Sequence, residues 1–219
     1  MNKLLLAFCL TIISSAFVFG QSDDYKKTEF SVGYTNQQVD TGANTNSGNA
    51  ARDFFNDRLS YNGFEVSGVY NVHRYVGIKA DFSGAYRNRE YNYTTGTGTT
   101  TTNVNFENRN SLYNALGGVQ FKDNKSDSRL KPFGHVLVGV GVARTKVKNL
   151  ACSNAVVTNC ANFAASFTDK GIAGAVGGGL DIKLTDKVDF RAVQVDYNPI
   201  RLNDQTNHNF RFGIGFVFH

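Results

Sequence analysis

The chain has 219 residues, 23 Lys and Arg against 18 Asp and Glu for a formal net charge of +5, and 22 Gly, 3 Cys, 2 Pro and no Trp. That length suits one domain, and an aromatic content of 13% with so few prolines excludes a disordered chain. Beyond the N-terminus no run reaches the roughly 18 apolar residues of a membrane helix, and the cysteine count excludes a disulfide-dense scaffold or a four-cysteine zinc module.

Asn2-Lys3 opens the chain, residues 4–19 are almost wholly apolar or small, and Val18-Phe19-Gly20 leads into polar Gln21-Ser22-Asp23-Asp24. The pattern predicts a secretory signal peptide over residues 1–20, cleaved after Gly20, with residues 21–219 as a single domain outside the reducing cytoplasm. Cys9 lies inside the apolar run without the flanks of a lipoprotein cleavage site.

From residue 28 onward, apolar side chains recur at every second position, the period of a strand. Eight stretches follow in chain order: 28–36 (Phe30, Val32, Tyr34), 59–70 (Phe64, Val66, Tyr70), 75–87 (Ile78, Phe82, Tyr86), 109–121 (Tyr113, Val119, Phe121), 130–144 (Val136, Val138, Val140, Val142), 169–183 (Ile172, Val176, Ile182), 188–197 (Val193, Val195, Tyr197) and 208–218 (Phe210, Phe212, Ile214, Phe216, Phe218). The opposite positions are polar, charged or Gly. The connections alternate between long (37–58, 88–108, 145–168, 198–207) and short (71–74, 122–129, 184–187). Aromatics fall towards strand ends, with Tyr34, Tyr61, Tyr86, Tyr113 and Tyr197 at one end and Tyr75, Phe121, Phe133, Phe190 and Phe218 at the other.

Long outer loops, short inner turns and two aromatic girdles are the plan of a transmembrane barrel. The expected fold is all-β: an eight-stranded antiparallel up-and-down barrel, closed because unpaired edge groups cost several kcal/mol each in lipid. Alternation alone also fits a soluble lipocalin-type barrel with its apolar face turned inward.

In the membrane register the charges Lys79, Asp81, Arg87, Asp181, Lys183, Asp196 and Arg211, with His135, face the lumen. Eight strands leave room for little more than side chains, and buried charges must pair, so a salt-bridged plug is expected, with a narrow channel for small solutes or ions as the alternative. Catalysis is not expected. The residue two after His135 is Leu137, where a barrel deacylase needs Ser, and no Ser-His-acid set comes together; a lipid-modifying enzyme is the least favoured reading. Gly177-Gly178-Gly179 lacks the Lys-Ser/Thr of a phosphate loop. Cys152 and Cys160 are expected to form a disulfide in the third outer loop, with no metal or cofactor, and residues 94–102, rich in Thr, read as a flexible surface loop.

The last strand, Arg211-Phe212-Gly213-Ile214-Gly215-Phe216-Val217-Phe218, resembles the C-terminal signal by which the barrel assembly machinery recognises its substrates, in Arg211, Gly213, Phe216 and Phe218; His219 follows it where the usual pattern ends on the aromatic. With the leader and the eight strands, the chain resembles the small eight-stranded outer-membrane barrels of the OmpA, OmpX and OmpW type, without the peptidoglycan-binding domain of full OmpA proteins. The resemblance implies a monomer in the outer membrane of a Gram-negative-type bacterium, in contact with membrane lipid and lipopolysaccharide, with a structural or surface-contact role and a ligand met through the outer loops. No basic run with interleaved stacking aromatics points to nucleic acid.

Overall fold

Val136, Val138, Val140 and Val142 share one face only if the backbone is extended, because successive side chains of a strand point to opposite sides. In the computed structural model, which describes residues 25–44, 46–97, 100–153 and 165–219, each alternating stretch is a strand. They are β1 (Thr28–Asp40), β2 (Arg58–His73), β3 (Val76–Thr97), β4 (Thr100–Lys122), β5 (Leu130–Ser153), β6 (Phe167–Lys183), β7 (Val188–Leu202) and β8 (Gln205–Phe218), with one short helix, α1 (Ala50–Asn56), between β1 and β2. The expected leader lies outside the described residues, as does Cys160. Each strand pairs antiparallel with the next, and β1 pairs with β8, so the barrel is closed. Phe30 faces Phe218, Val32 faces Phe216 and Tyr34 faces Ile214 across the closing seam. These aromatic and β-branched cross-strand pairs hold the register.

The faces are inverted relative to a soluble protein. Ile78, Phe82, Val138, Ile172 and Ile214 point outward and are 46–68% exposed, whereas Lys79, Asp181, Asp196 and Arg211 are 1% exposed or less inside. A continuous apolar belt of this kind is unfavourable in water and is what hydrocarbon requires. The lipocalin-type alternative, which needs the apolar face inside, is thereby excluded. Two girdle expectations are corrected as well: Tyr61 and Phe133 are buried in the lumen rather than facing lipid.

On the outer side the strands run further than their apolar pattern. Residues 88–97 and 100–108, expected as a loop, continue β3 and β4 as a paired ribbon in which Tyr91 faces Phe106 and Thr94 faces Asn103. The expected loop 198–207 contracts to a turn on Asn203 and Asp204, both at positive φ (46° and 62°), where Asn and Asp are the L-residues best tolerated. Helix α1 starts at Asn49, whose side-chain oxygen accepts from the Arg52 amide, the usual N-cap arrangement. On the inner side, Asn71 Nδ2 donates to the Lys26 carbonyl and ties the N-terminal segment across the base. There Arg74 grips Asp123 with two 2.9 Å hydrogen bonds, which hold that exposed carboxyl below the usual carboxylate range.

Candidate functional site

The lumen is filled by polar side chains in three tiers. Nearest the inner mouth, Asp189 accepts from Lys131 (3.0 Å) and from the C-terminal His219 (2.8 Å). Above it, Lys122 Nζ bridges Glu29 (3.1 Å) and Asp181 (2.9 Å). Arg191 forks onto both Asp181 oxygens (2.8 and 3.2 Å), and its guanidinium lies 4.1 Å from the Phe133 ring centroid.

The middle tier is organised by Arg211. It donates to Asp81 (2.8 Å) and Asp196 (2.7 Å) and lies 3.7 Å from Glu65. Lys79 sits between Glu65 (3.6 Å) and Asp81 (3.8 Å). His135 Nε2 is 2.9 Å from Asp196 Oδ1, without an aligned hydrogen bond. Gln194 donates to both Glu65 oxygens and to Asp196. Gly177 makes this packing possible: a Cβ there would lie 2.1 Å from Asp196 Oδ1 and 2.3 Å from the Val195 carbonyl oxygen.

Towards the outer mouth the polar groups give way to apolar ones. Asn198 Oδ1 accepts from Gln37 and Asn114. Tyr61, Ala85, Leu112, Ala173 and Ile200 then join Leu116, Leu137 and Ala175 in one buried cluster. A crevice beside Glu65, Arg191 and Gln194 measures about 10 Å³, space for about one water.

Of the residues the sequence places in the lumen, Lys79, Asp81, His135, Asp196 and Arg211 meet in the middle tier, and Asp181 lies in the tier below. Two do not join them. Arg87 sits at the outer rim and donates to the Ser60 carbonyl (3.2 Å). Lys183 lies at the inner end of β6 and pairs with Asp186 (2.8 Å) and Asp127 (3.3 Å) in the turns. Both have the inward parity, but they lie beyond the ends of the lumen. Conversely, Glu29, Glu65, Lys122, Lys131, Asp189, Arg191 and His219 take part without having been singled out. Glu65 was readable from its flanking apolar neighbours, Phe64 and Val66. Arg191 was not. An extra residue at Ala192 breaks the register between Arg191 and Gln194, and such a bulge flips every side chain before it to the other face.

Gly213, Phe216 and Phe218 lie in β8, and the Phe216 ring packs on Phe190 (centroids 5.5 Å apart). His219 does not trail free: its amide donates to the Lys187 carbonyl. Cys152 lies in the outer part of β5. Beyond the belt, Phe106 stacks on Tyr91 (5.3 Å) and meets Tyr93 edge-on (6.3 Å), with the Arg89 guanidinium 5.5 Å from Tyr91.

Comparison with known proteins agrees with this architecture. The family model described as outer membrane protein beta-barrel domain matches residues 5–218. Among solved structures, Neisserial surface protein A is 10% identical, with a TM-score of 0.50 over 87% of this chain and 96% of that one. Ail, the attachment invasion locus protein of Yersinia pestis, is 17% identical, with a TM-score of 0.47 over 88% and 98%. OprG from Pseudomonas aeruginosa is 14% identical, with a TM-score of 0.43 over 90% and 98%. No curated protein matches.

Proposed function

Because this chain belongs to the outer membrane protein beta-barrel domain family and lies in the outer membrane of a Gram-negative-type bacterium, we propose that it is a closed, monomeric barrel that acts at the cell surface through its outer ribbon rather than by conducting solutes. The observation that carries this reading is the contrast between the two parts. The lumen is occupied by paired charges and an apolar cluster, while β3 and β4 project beyond the belt as a paired ribbon bearing Tyr91, Tyr93, Phe106 and Arg89. Aromatic and arginine side chains on a preordered scaffold contribute contact area at low entropic cost. In this reading His135 fills the lumen beside Asp196 and is not catalytic. The leader over residues 1–20 directs export, and Arg211, Gly213, Phe216 and Phe218 are read by the assembly machinery. A disulfide between Cys152 and Cys160 closes the third outer loop.

The test is to replace residues 90–107 by a two-residue Asn-Gly turn, which joins the paired residues Arg89 and Asn108, and to display both proteins on cells. The shortened barrel should keep its heat-modifiable migration on gels. Retention of the cells on surfaces coated with glycans or matrix proteins should fall to that of cells without the protein. Undiminished retention would remove the ribbon from the function.

A further inference from the structure

Arg211 is buried in the lumen, so its neighbour Phe210 points outward, to the lipid-facing side of β8. Phe210 faces Tyr197 across the β7–β8 ladder, with ring centroids 5.5 Å apart, at the height of the outer aromatic girdle. Helix α1 is docked on this pair from outside the wall. The Phe54 ring meets the Phe210 ring edge-on at 5.2 Å. The Arg58 guanidinium lies 4.2 Å from the Phe54 ring and 5.2 Å from the Phe210 ring. It also donates to the Phe54 and His208 carbonyls (3.1 and 3.4 Å), which clamps the end of the helix to β8.

Successive residues of a helix are turned by about 100°. With Phe54 held against the wall, Phe55 therefore lies on a different side of α1. It meets the Phe54 ring edge-on (5.1 Å) and remains 60% exposed. A single exposed phenylalanine on a soluble surface needs no explanation. Phe55, however, ends a run of touching rings through Phe54, Phe210 and Tyr197, and that run continues into the apolar belt through Phe212 and Ile214 on the same face of β8. Arg52, one turn before Phe55 on the same side of the helix, is exposed as well.

We propose that α1 is an interfacial anchor: it lies in the headgroup layer of the outer leaflet, and Phe55 enters the lipid beside Phe210. Arg52 keeps its charged head among the headgroups while its stem follows the lipid boundary. An apolar helix face held in this way reaches about 5–10 Å into the boundary between headgroups and acyl chains. The anchor ties the connection between β1 and β2 down to the membrane beside the closing seam. It requires that the barrel span a bilayer and is independent of what the β3–β4 ribbon contacts.

The chain has no Trp, so one introduced Trp reports its own surroundings. The full chain is refolded into phosphatidylcholine vesicles as Phe55→Trp. Val138→Trp, at a belt position 64% exposed, and Asn92→Trp, at an exposed position of the ribbon, serve as references. Insertion of each is read from heat-modifiable migration. In vesicles of phosphatidylcholine brominated on its acyl chains, Phe55→Trp should lose most of its fluorescence, as Val138→Trp does, whereas Asn92→Trp should keep its own. Bromine near the carbonyl end of the chains should quench Phe55→Trp more than bromine near the methyl end. Adding Phe54→Ala and Phe210→Ala to Phe55→Trp should remove the quenching, because the helix loses its seat. An inserted Phe55→Trp barrel that responds like Asn92→Trp overturns the anchor. Quenching that survives the loss of Phe54 and Phe210 overturns the docking on β8 as its cause. An unquenched Val138→Trp overturns the membrane reading itself.

Discussion

Replacing Arg211 by Met is expected to lower the unfolding free energy of the refolded barrel by about 3–5 kcal/mol, the usual cost of removing one partner from a buried ion-pair network. Arg211 is fully buried and serves Asp81, Asp196 and Glu65 at once. Its loss leaves three carboxylates around Lys79 and His135, in a space too tight to admit much water. Neutralising the partners should therefore restore stability. The triple variant Arg211→Met/Asp81→Asn/Asp196→Asn is expected to unfold at a higher denaturant concentration than Arg211→Met alone, a non-additivity expected of residues in one network. The chain has no Trp, so unfolding is followed by the strand signal in circular dichroism or by the heat-modifiable band. If Arg211→Met and the triple variant unfold together, the charges are not coupled as described.

The second large effect is expected at Gly177. An added Cβ would meet the Val195 carbonyl oxygen at 2.3 Å and Asp196 Cα at 2.7 Å, backbone atoms held by the β6–β7 ladder. Gly177→Ala should cost about 1–3 kcal/mol as overpacking, and Gly177→Val should abolish the folded band. Gly68 is the matched control: it lies in β2 and a Cβ there meets nothing within 4 Å. Gly68→Ala should leave the denaturant midpoint unchanged. Equal losses at both positions would mean that glycine acts here through backbone flexibility and not through space.

The strand faces were legible because hydrocarbon outside and charge inside impose a period of two on the membrane-spanning part of each strand. Parity, however, reports a face and not a height. That is why Arg87 and Lys183 read as lumen residues although they stand beyond its ends. Tyr61 and Phe133 share the inward parity of Glu65 and His135, so reading them as girdle residues from their place near strand ends set parity aside. The bulge at Ala192 shows the other weakness: one inserted residue exchanges Phe190 and Arg191 between lipid and lumen. Above the membrane both faces of a strand meet water, so the alternation disappears. The ribbon of β3 and β4, with Tyr91, Tyr93, Phe106 and its threonines, carries β-propensity without alternation and reads as loop. The lower charge tiers were hidden for a related reason. Glu29 and Lys122 sit at strand ends, where turn and strand are hardest to separate, and His219 extends past the expected closing aromatic.

The claim on which the account depends most is that the lumen is closed. It is tested by single-channel recording of the refolded chain in planar bilayers, after heat-modifiable migration has shown that it is folded. Tiers of paired charge under an apolar cluster predict a silent barrel, with no unitary steps in simple salt at neutral pH. Reproducible steps from the folded wild type, with ion selectivity changed by Lys79→Gln or Asp181→Asn, would contradict the closed lumen and make the protein a narrow channel.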